Sequence, residues 1–178
     1  MPVSMSSPAS SVVPSGAEPV WTVLLPEHGW YDHVRLKRVF GTPGTRHQVV
    51  LVDMRKLLVC ADRDNTDYVL KPVNEWHSGK VRGIREFLDP ENERIPEMPY
   101  VTVTKRRAPG LFGWLGLDHE GVVAFRNGQH RTRYLAEAGA RWMPVEVHER
   151  EAALLHEVCG APDDAHTALR PDPGASGT

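Results

Sequence analysis

The sequence predicts a compact α/β fold of the mixed α+β type, organised as one domain. Short apolar runs typical of strands alternate with segments of helical period along most of the 178 residues. The stretch 121–147 has the pattern of a strand, a tight turn, a helix and a second strand in immediate succession. An apolar content of 40% and a charged content of 25% are ordinary for a soluble globular protein.

The stretch 121–147 is the best-defined unit of the chain. Asn127-Gly128 favours a turn because both residues tolerate positive φ, and Gly139 favours a left-handed helix C-cap. The predicted elements are a strand, a helix and a strand, over Val122–Phe125, Gln129–Ala138 and Trp142–Val147.

The remaining elements follow from periodicity and from helix-breaking residues. Strands are expected at Val20–Leu25, Val34–Phe40, Gln48–Asp53 and Pro99–Thr104. Helices are expected at Gly79–Leu88, which Ser78 can cap, and at Glu149–Val158. The segment Met54–Ala61 is compatible with either a strand or a short helix.

The connector Ala108–Leu117 is unusual because it contains three glycines together with Phe112 and Trp114. Either these aromatic side chains pack into the core, or the connector is a mobile flap that stacks on a base or on a partner. Packing into the core is the interpretation we favour.

The two ends of the chain are predicted to be disordered. Residues 1–19 are rich in Ser, Pro and Ala, and residues 161–178 are rich in Pro, Asp and Gly, which leaves a domain over 20–160. No apolar run approaches the ~20 residues of a membrane span. The first residues also lack the positive and apolar regions of a signal peptide. We therefore expect a cytoplasmic protein without membrane insertion.

No metal site is predicted. Asp62, Asp64 and Asp67 are close in sequence, but their segment lacks the glycine and the glutamate that a calcium loop needs at its sixth and twelfth positions. Neither His-Glu pair near the C-terminus begins an H-E-x-x-H zinc motif. Cys60 and Cys159 are too few for a disulfide scaffold, and we expect both to be reduced and structural.

The start of the predicted helix at Gln129 is a candidate anion site. Because the helix follows a strand directly, its first backbone N–H groups lack intrahelical acceptors and carry the positive end of the helix dipole. The side chains of Arg126, His130 and Arg133 add cationic or proton-sharing groups around these amides.

Arg131 is the residue of this helix that most needs an explanation. It shares a helical face with Tyr134 and Leu135, the face that packs inward, so its guanidinium requires an anionic partner. Two partners remain open at this point: a buried carboxylate such as Glu146, or a bound phosphate.

Residues 127–145, NGQHRTRYLAEAGARWMPV, resemble the D-G-E-R-R-Y-R-A-A-x-x-A-G-x-x-x-I-P-V signature of the ParB/sulfiredoxin (ParB/Srx) superfamily, without gaps. The matching positions are Gly128, Arg131, Arg133, Gly139, Pro144 and Val145, with Asn127 a close match. Gln129 stands where the ParB type has glutamate and where the sulfiredoxin variant G-C-H-R-Y has cysteine. His130-Arg131 keeps the His-Arg pair of that variant. The resemblance implies a ParB/Srx-like domain that retains the phosphate-binding frame without the sulfur chemistry.

Within the superfamily, the chain is most similar to plasmid fertility inhibition factors of the Osa type, which block DNA transfer by the conjugation machinery. Too few residues follow Val147 for the DNA-binding domain of a partitioning ParB. The resemblance implies ATP and Mg²⁺ as ligands, with ATP hydrolysis and DNA cleavage acting on the transferred strand. The nucleotide-binding residues that it implies are Asn127, Gly128, Gln129, His130, Arg131 and Arg133.

Catalysis at this turn would require a group that activates water. His130, with Arg131 beside it, is the catalytic residue we expect, because histidine titrates near neutrality. A nearby carboxylate, Glu146 or Asp118, and a metal-bound water are the alternatives.

A second hypothesis is a non-catalytic binding module that docks on the conjugation coupling protein or on the transferred nucleoprotein complex. Gln129 supports it, because an amide cannot act as the general base that a glutamate can supply. A sulfiredoxin-like reductase ranks below both, since no cysteine stands at the reacting position.

DNA binding must be local, because the net charge of the whole chain is −2. We expect a preference for single-stranded DNA, with base stacking on Phe112 or Trp114. The alternative is that the basic run 105–107 is only a solvated face. The expected DNA-contacting cations are Lys105, Arg106, Arg107, Arg126 and Arg133.

Overall fold

The computed structural model describes residues 19–42, 44–64, 70–165, 169 and 171–172. Within these residues the chain forms seven strands and five α-helices, which confirms the mixed α+β class. The strands are β1 (Val20–Leu24), β2 (His33–Lys37), β3 (His47–Asp53), β4 (Tyr100–Arg107), β5 (His119–Phe125), β6 (Trp142–His148) and β7 (Pro171–Asp172). The helices are α1 (Met54–Asp62), α2 (Ser78–Leu88), α3 (Leu111–Trp114), α4 (Gln129–Glu137) and α5 (Glu149–Cys159).

The strands form two sheets. The larger sheet has the order β3-β6-β4-β5, in which β4 runs parallel to β6 and the other neighbours are antiparallel. The smaller sheet has the order β2-β1-β7 and is antiparallel throughout. Helices α1 and α5 pack together against the larger sheet, and α2 contacts α4. Apolar side chains from both sheets and from the helices join one core.

Two helix starts are explained by side chains that accept from free backbone amides. Asp53 caps α1, because its Oδ1 accepts from the N–H of Lys56 at 3.0 Å. The open choice for residues 54–61 is thereby settled in favour of a helix. The N-cap of α2 is His77, whose Nδ1 accepts from the N–H of Gly79 at 3.1 Å. Ser78, predicted as the cap, is instead the first helical residue.

The connector between β4 and β5 projects from the larger sheet, because the two strands stay paired out to Arg107 and His119. Its short helix α3 folds back so tightly that a Cβ on Gly113 would lie 1.7 Å from the carbonyl oxygen of Ala108. This tight turn leaves the side chains of Phe112 and Trp114 66% and 74% exposed. The prediction that they pack into the core was therefore wrong.

Part of the C-terminal stretch is ordered, which corrects the expectation of disorder over 161–178. Ala161, Ala165 and Leu169 are buried, and the backbone of Pro171–Asp172 pairs with β1. These few apolar residues join the hydrophobic core, although proline, aspartate and glycine dominate the composition. The expectation for residues 1–19 falls on a stretch of which only Pro19 is described, and Asp67 of the acidic segment also lies outside the described residues.

No helix in the described part of the chain is both long enough and apolar enough to span a bilayer.

Candidate functional site: a basic cleft beside the start of α4

The turn between β5 and α4 has the geometry of an open helix N-terminus. Gly128 adopts φ 78°, and no side chain caps the helix. The first intrahelical bond runs from the N–H of Thr132 to the carbonyl of Gly128 at 2.9 Å, so the three preceding amides point out of the helix end without an intrahelical acceptor. A Cβ at Gly128 would also lie 3.1 Å from Cα of Pro99. Glycine is therefore required here for both conformation and space.

Asn127 holds this turn in place. Its Oδ1 accepts from the N–H of Tyr100 at 2.7 Å, while the N–H groups of Arg126 and Asn127 donate to the Tyr100 carbonyl at 2.9 and 3.3 Å. Both turn residues tolerate positive φ, but only Gly128 adopts it, and among the described residues only glycines do so. The side-chain oxygen of Asn127 is thus hydrogen-bonded to the first residue of β4, which fixes the turn relative to the sheet.

Arg131 does not pair with Glu146, so the first of the two open interpretations is wrong. Its Nη1 donates to the carbonyl of Glu97 at 2.8 Å, and its guanidinium lies 5.5 Å from the ring centre of Phe87. Burial lowers the pKa of Arg131, which the carboxylate of Glu97 counteracts and the nearby Arg94 reinforces. The guanidinium is therefore held by a neutral carbonyl and an aromatic face.

Glu146 has other partners and is fully buried. Its Oε1 pairs with the guanidinium of Arg38 at 2.8 to 2.9 Å, and its Oε2 accepts from the N–H groups of Val39 and Phe40 at 2.6 and 3.1 Å. This carboxylate anchors the segment after β2 to β6. With both oxygens engaged it is not available to activate water, which removes one predicted alternative base.

A cavity of about 530 Å³ opens beside α4, between α2 and the segment 94–97. We call this cavity the basic cleft. Its lining contains four cationic side chains and one carboxylate, together with apolar side chains. The charged lining residues are Lys37, Lys80, Arg94, Arg131 and Glu97, and the large apolar ones are Ile84, Phe87 and Ile95.

The backbone explains how these distant residues meet. The N–H of Lys37 donates to the carbonyl of Pro96 at 2.9 Å, and the N–H of Met98 donates to the carbonyl of Lys37 at 2.8 Å. The end of β2 is thereby tied to the segment that carries Arg94 and Glu97. Sequence reasoning missed Lys37, Lys80 and Arg94, because no periodic signal links three cations on three separate segments.

His130 lies at the edge of this arrangement. Its ring meets the ring of Trp76 edge-on at 5.4 Å, and the ammonium of Lys80 lies 4.5 Å from the Trp76 ring centre. Burial lowers the pKa of His130, and the charges of Lys80 and Arg133 lower it further. The imidazole is therefore neutral at neutral pH and able to accept a proton.

The other predicted residues of the turn are placed differently. Arg133 pairs with Asp62, although its Nε is buried without a hydrogen-bond partner in the structure. Gln129 is half-buried and its side chain makes no hydrogen bond to the described residues, while Arg126 is exposed. Asp118 lines a different cavity, together with Cys60 and His119, so the structure does not bring it to the cleft.

The predicted DNA-binding cations do not form one surface. Lys105 pairs with Glu157 at 2.7 Å and Arg106 with Glu120 at 2.8 Å, so carboxylates neutralise two of the three residues of the basic run. The third residue, Arg107, is exposed without a carboxylate partner among the described residues. The remaining cations lie elsewhere: Arg126 lies at the other end of the β4–β5 ladder, roughly 20 Å away at ~3.4 Å per residue, and Arg133 is paired on α4.

The described residues contain no group of three or more His, Cys, Asp or Glu side chains arranged to hold a metal ion. An Mg²⁺ ion in proteins is commonly held by one or two carboxylates together with substrate phosphates. Glu97 is the carboxylate among the described cleft residues that could contribute in this way. The lining therefore fits a phosphate-bearing anion better than it fits a metal ion held by protein alone.

Comparison with known families identifies the chain. Residues 49–160, more than half of its length, match the model of the plasmid fertility inhibition factor family. The chain belongs to this family. The matched region includes α2, α4 and the whole turn between β5 and α4.

A solved structure agrees with this assignment at the level of the fold. The fertility inhibition factor resembles the crystal structure of Oncogenic Suppression Activity Protein, itself a plasmid fertility inhibition factor, determined as a gold(I) cyanide derivative. The TM-score is 0.53 at 17% identity, over 85% of this chain and 75% of that one. No curated protein sequence matches the chain significantly. The wider ParB/Srx relationship stays a prediction.

Proposed function

We propose that this fertility inhibition factor acts in blocking conjugative DNA transfer by binding a nucleotide, ATP, at the basic cleft and the open N-terminus of α4. The observation that carries the proposal is the convergence of Lys37, Lys80, Arg94 and Arg131 on one cavity beside three free amides. Cations in a partly enclosed site and a helix N-terminus both favour phosphate oxygens.

The size and the walls of the cleft also suit a nucleotide. A volume of about 530 Å³ lies within the ~300–1,000 Å³ range of small-molecule sites. Phe87 offers an aromatic face on which a base can stack, beside the apolar side chains of Ile84 and Ile95. The charged part of the cleft would then hold the triphosphate.

Beyond nucleotide binding, we propose that ATP hydrolysis and cleavage of the transferred DNA strand take place at the same site. The neutral imidazole of His130 would accept the proton of the attacking water, and Arg131 would stabilise the charge that develops on the phosphoryl oxygens. When bound with the nucleotide, Mg²⁺ would neutralise phosphate charge, with Glu97 as its protein ligand.

A second candidate function is a docking module for the conjugation coupling protein or the transferred nucleoprotein complex. The connector between β4 and β5 favours it, since five large apolar side chains there are 52–74% exposed: Leu111, Phe112, Trp114, Leu115 and Leu117. Contiguous exposed apolar residues commonly mark an interaction site. Replacing Phe112 and Trp114 by Ser should abolish capture of such a partner without changing ATP affinity.

ATP affinity of cleft variants tests the first proposal. Arg131→Ala and Lys80→Ala should each weaken ATP binding by about 10- to 150-fold, the equivalent of ~1.5–3 kcal/mol for a charged hydrogen bond. Arg82→Ala is the matched control, because Arg82 lies on the same helix as Lys80 but does not line the cleft, and its ion-pair partner is Glu86. The proposal fails if the wild-type protein has no measurable ATP affinity, or if all three variants bind equally.

A further inference from the structure

The two cysteines of the chain meet in the structure, although they are 99 positions apart in sequence. Cys60 lies on α1 and Cys159 at the end of α5, two helices that pack together. The two thiols are close enough that a hydrogen bond between them shifts the pKa of both. The backbone holds both helices at this point, because the N–H of Ala161 donates to the carbonyl of Leu51 at 3.0 Å, just before α1 begins.

The two thiols differ in access and in charge environment. Both cysteines are buried, Cys159 completely and Cys60 with 4% exposure, but Cys60 lines a cavity of about 510 Å³ at the base of the exposed connector. The Nη1 of Arg63 lies 3.7 Å from Sγ of Cys60 and also donates to the carbonyl of Gly121 at 3.0 Å. A thiol beside a guanidinium and facing a cavity has the surroundings of a reactive cysteine.

From this geometry we propose that Cys60 and Cys159 form a reversible oxidation site, in which Cys60 reacts with a hydroperoxide and Cys159 resolves the product to a disulfide. This proposal is independent of the nucleotide site. In the first step Sγ of Cys60, as the thiolate, attacks one peroxide oxygen. The S–O bond forms, the O–O bond breaks, and the leaving alkoxide takes up a proton to become an alcohol.

In the second step Sγ of Cys159 loses its proton and attacks Sγ of the Cys60 sulfenic acid. The S–S bond forms, the S–O bond breaks, and the hydroxide leaves with the proton as water. Overall, two thiols lose two electrons, and one hydroperoxide gains them to give one alcohol and one water.

The electrostatics favour Cys60, rather than Cys159, as the thiol that reacts first. The hydrogen bond from the Cys159 thiol, aided by the charge of Arg63, lowers the pKa of Cys60 to about 7, against the opposing effects of burial and Glu120. The same hydrogen bond raises the pKa of Cys159, as does burial, while Arg63 and Lys56 oppose this rise. The other charged groups that line the cavity are Arg55, Asp118 and His119.

Mass spectrometry and thiol counting on the whole, untagged protein test the proposal. Treatment with hydrogen peroxide should lower the mass by two hydrogens, and both thiols should become unreactive to maleimide after denaturation. A thiol reductant should restore both signals. Since the chain has only two cysteines, an intramolecular disulfide must join this pair. Retention of both thiols under conditions that fully oxidise glutathione, or the formation of disulfide-linked dimers, overturns the proposal.

The pH dependence and two variants test the roles within the pair. The oxidation rate should rise about tenfold between pH 6 and pH 8 and then level off, because the thiolate of Cys60 saturates around its pKa of about 7. A rate that keeps rising above pH 8 contradicts the assignment. Arg63→Gln should slow the reaction and move this midpoint upward. Arg55→Gln, on the same helix and cavity wall, should leave it in place. An equal effect of both substitutions contradicts the role of Arg63.

Discussion

Replacing Glu146 by Ala should destabilise the protein severely. The side chain is fully buried, and its two oxygens satisfy the guanidinium of Arg38 and the N–H groups of Val39 and Phe40. Removing the carboxylate leaves the largely buried guanidinium of Arg38 without its counter-ion, although it still donates to the carbonyl of His47, and leaves two backbone donors without an acceptor. Breaking a buried ion pair in this way costs about 3–5 kcal/mol.

Two further variants, Glu146→Gln and Arg131→Ala, are the controls for the stability loss of Glu146→Ala. Glu146→Gln keeps the volume and one acceptor oxygen, so it should cost about 1–3 kcal/mol. Arg131→Ala removes one hydrogen bond to a carbonyl and a contact with the Phe87 ring, so it should cost only about 1 kcal/mol. These differences would separate the roles expected of the two arginines near the core: Arg38 in stabilising the fold, and Arg131 in the proposed binding of a ligand.

Urea denaturation followed by circular dichroism measures these differences in the free energy of unfolding. In a thermal melt, the loss in Glu146→Ala corresponds to a Tm lower by on the order of 10 °C for a chain of this size. Unfolding of Arg131→Ala as readily as Glu146→Ala would contradict this separation of roles. That result would make Arg131 part of the structural network.

Three further predictions follow from the site and its surroundings. His130→Ala should reduce ATP hydrolysis by ~10²-fold or more, and a variant that hydrolyses at the wild-type rate excludes His130 as the base. For the variant with Ala at Lys105, Arg106 and Arg107, the binding constant for a labelled single-stranded oligonucleotide, measured by fluorescence anisotropy, should depend less steeply on salt. The slope of its logarithm against the logarithm of salt concentration should be shallower by about 0.7, the value for one phosphate contact, because two of the three cations already have carboxylate partners. An unchanged slope means that the run is only a solvated face. Burial lowers the pKa of His28, so the unfolded state binds more protons below pH ~6.5 and the protein becomes less stable as the pH falls. The drop in Tm between pH 7.5 and pH 5.5 should therefore be smaller in His28→Gln than in the wild type, and an equal drop contradicts this.

The elements of the fold were predictable where local chemistry determines them. The turn at Gly128 and the C-cap at Gly139 were confirmed, because each requires a left-handed backbone conformation that glycine adopts at little cost. The exposure of Trp114 was not predictable, since apolar composition alone does not show which side of a hairpin a loop faces. It depends on the fold-back at Gly113, a contact visible only in three dimensions.

The candidate site was predictable only in part. The free amides of α4 and the inward direction of Arg131 follow from helix geometry, and both were found in the sequence. The partner of Glu146 could not be predicted, because Arg38 lies 108 positions away and is brought close by the route of the chain after β2. The cleft itself depends on the pairing of Lys37 with the segment 96–98, which has no signature in either segment alone.

The central claim is that phosphate oxygens bind at the start of α4, beside the basic cleft. A titration of ¹⁵N-labelled protein with ATP, followed by amide chemical shifts, tests it at the residues concerned. We predict that the amide signals of Gln129, His130 and Arg131 shift in a saturable way, with the same midpoint, and that Arg131→Ala removes these shifts. Saturable shifts confined to other parts of the chain, or no shifts at millimolar ATP, would contradict the claim.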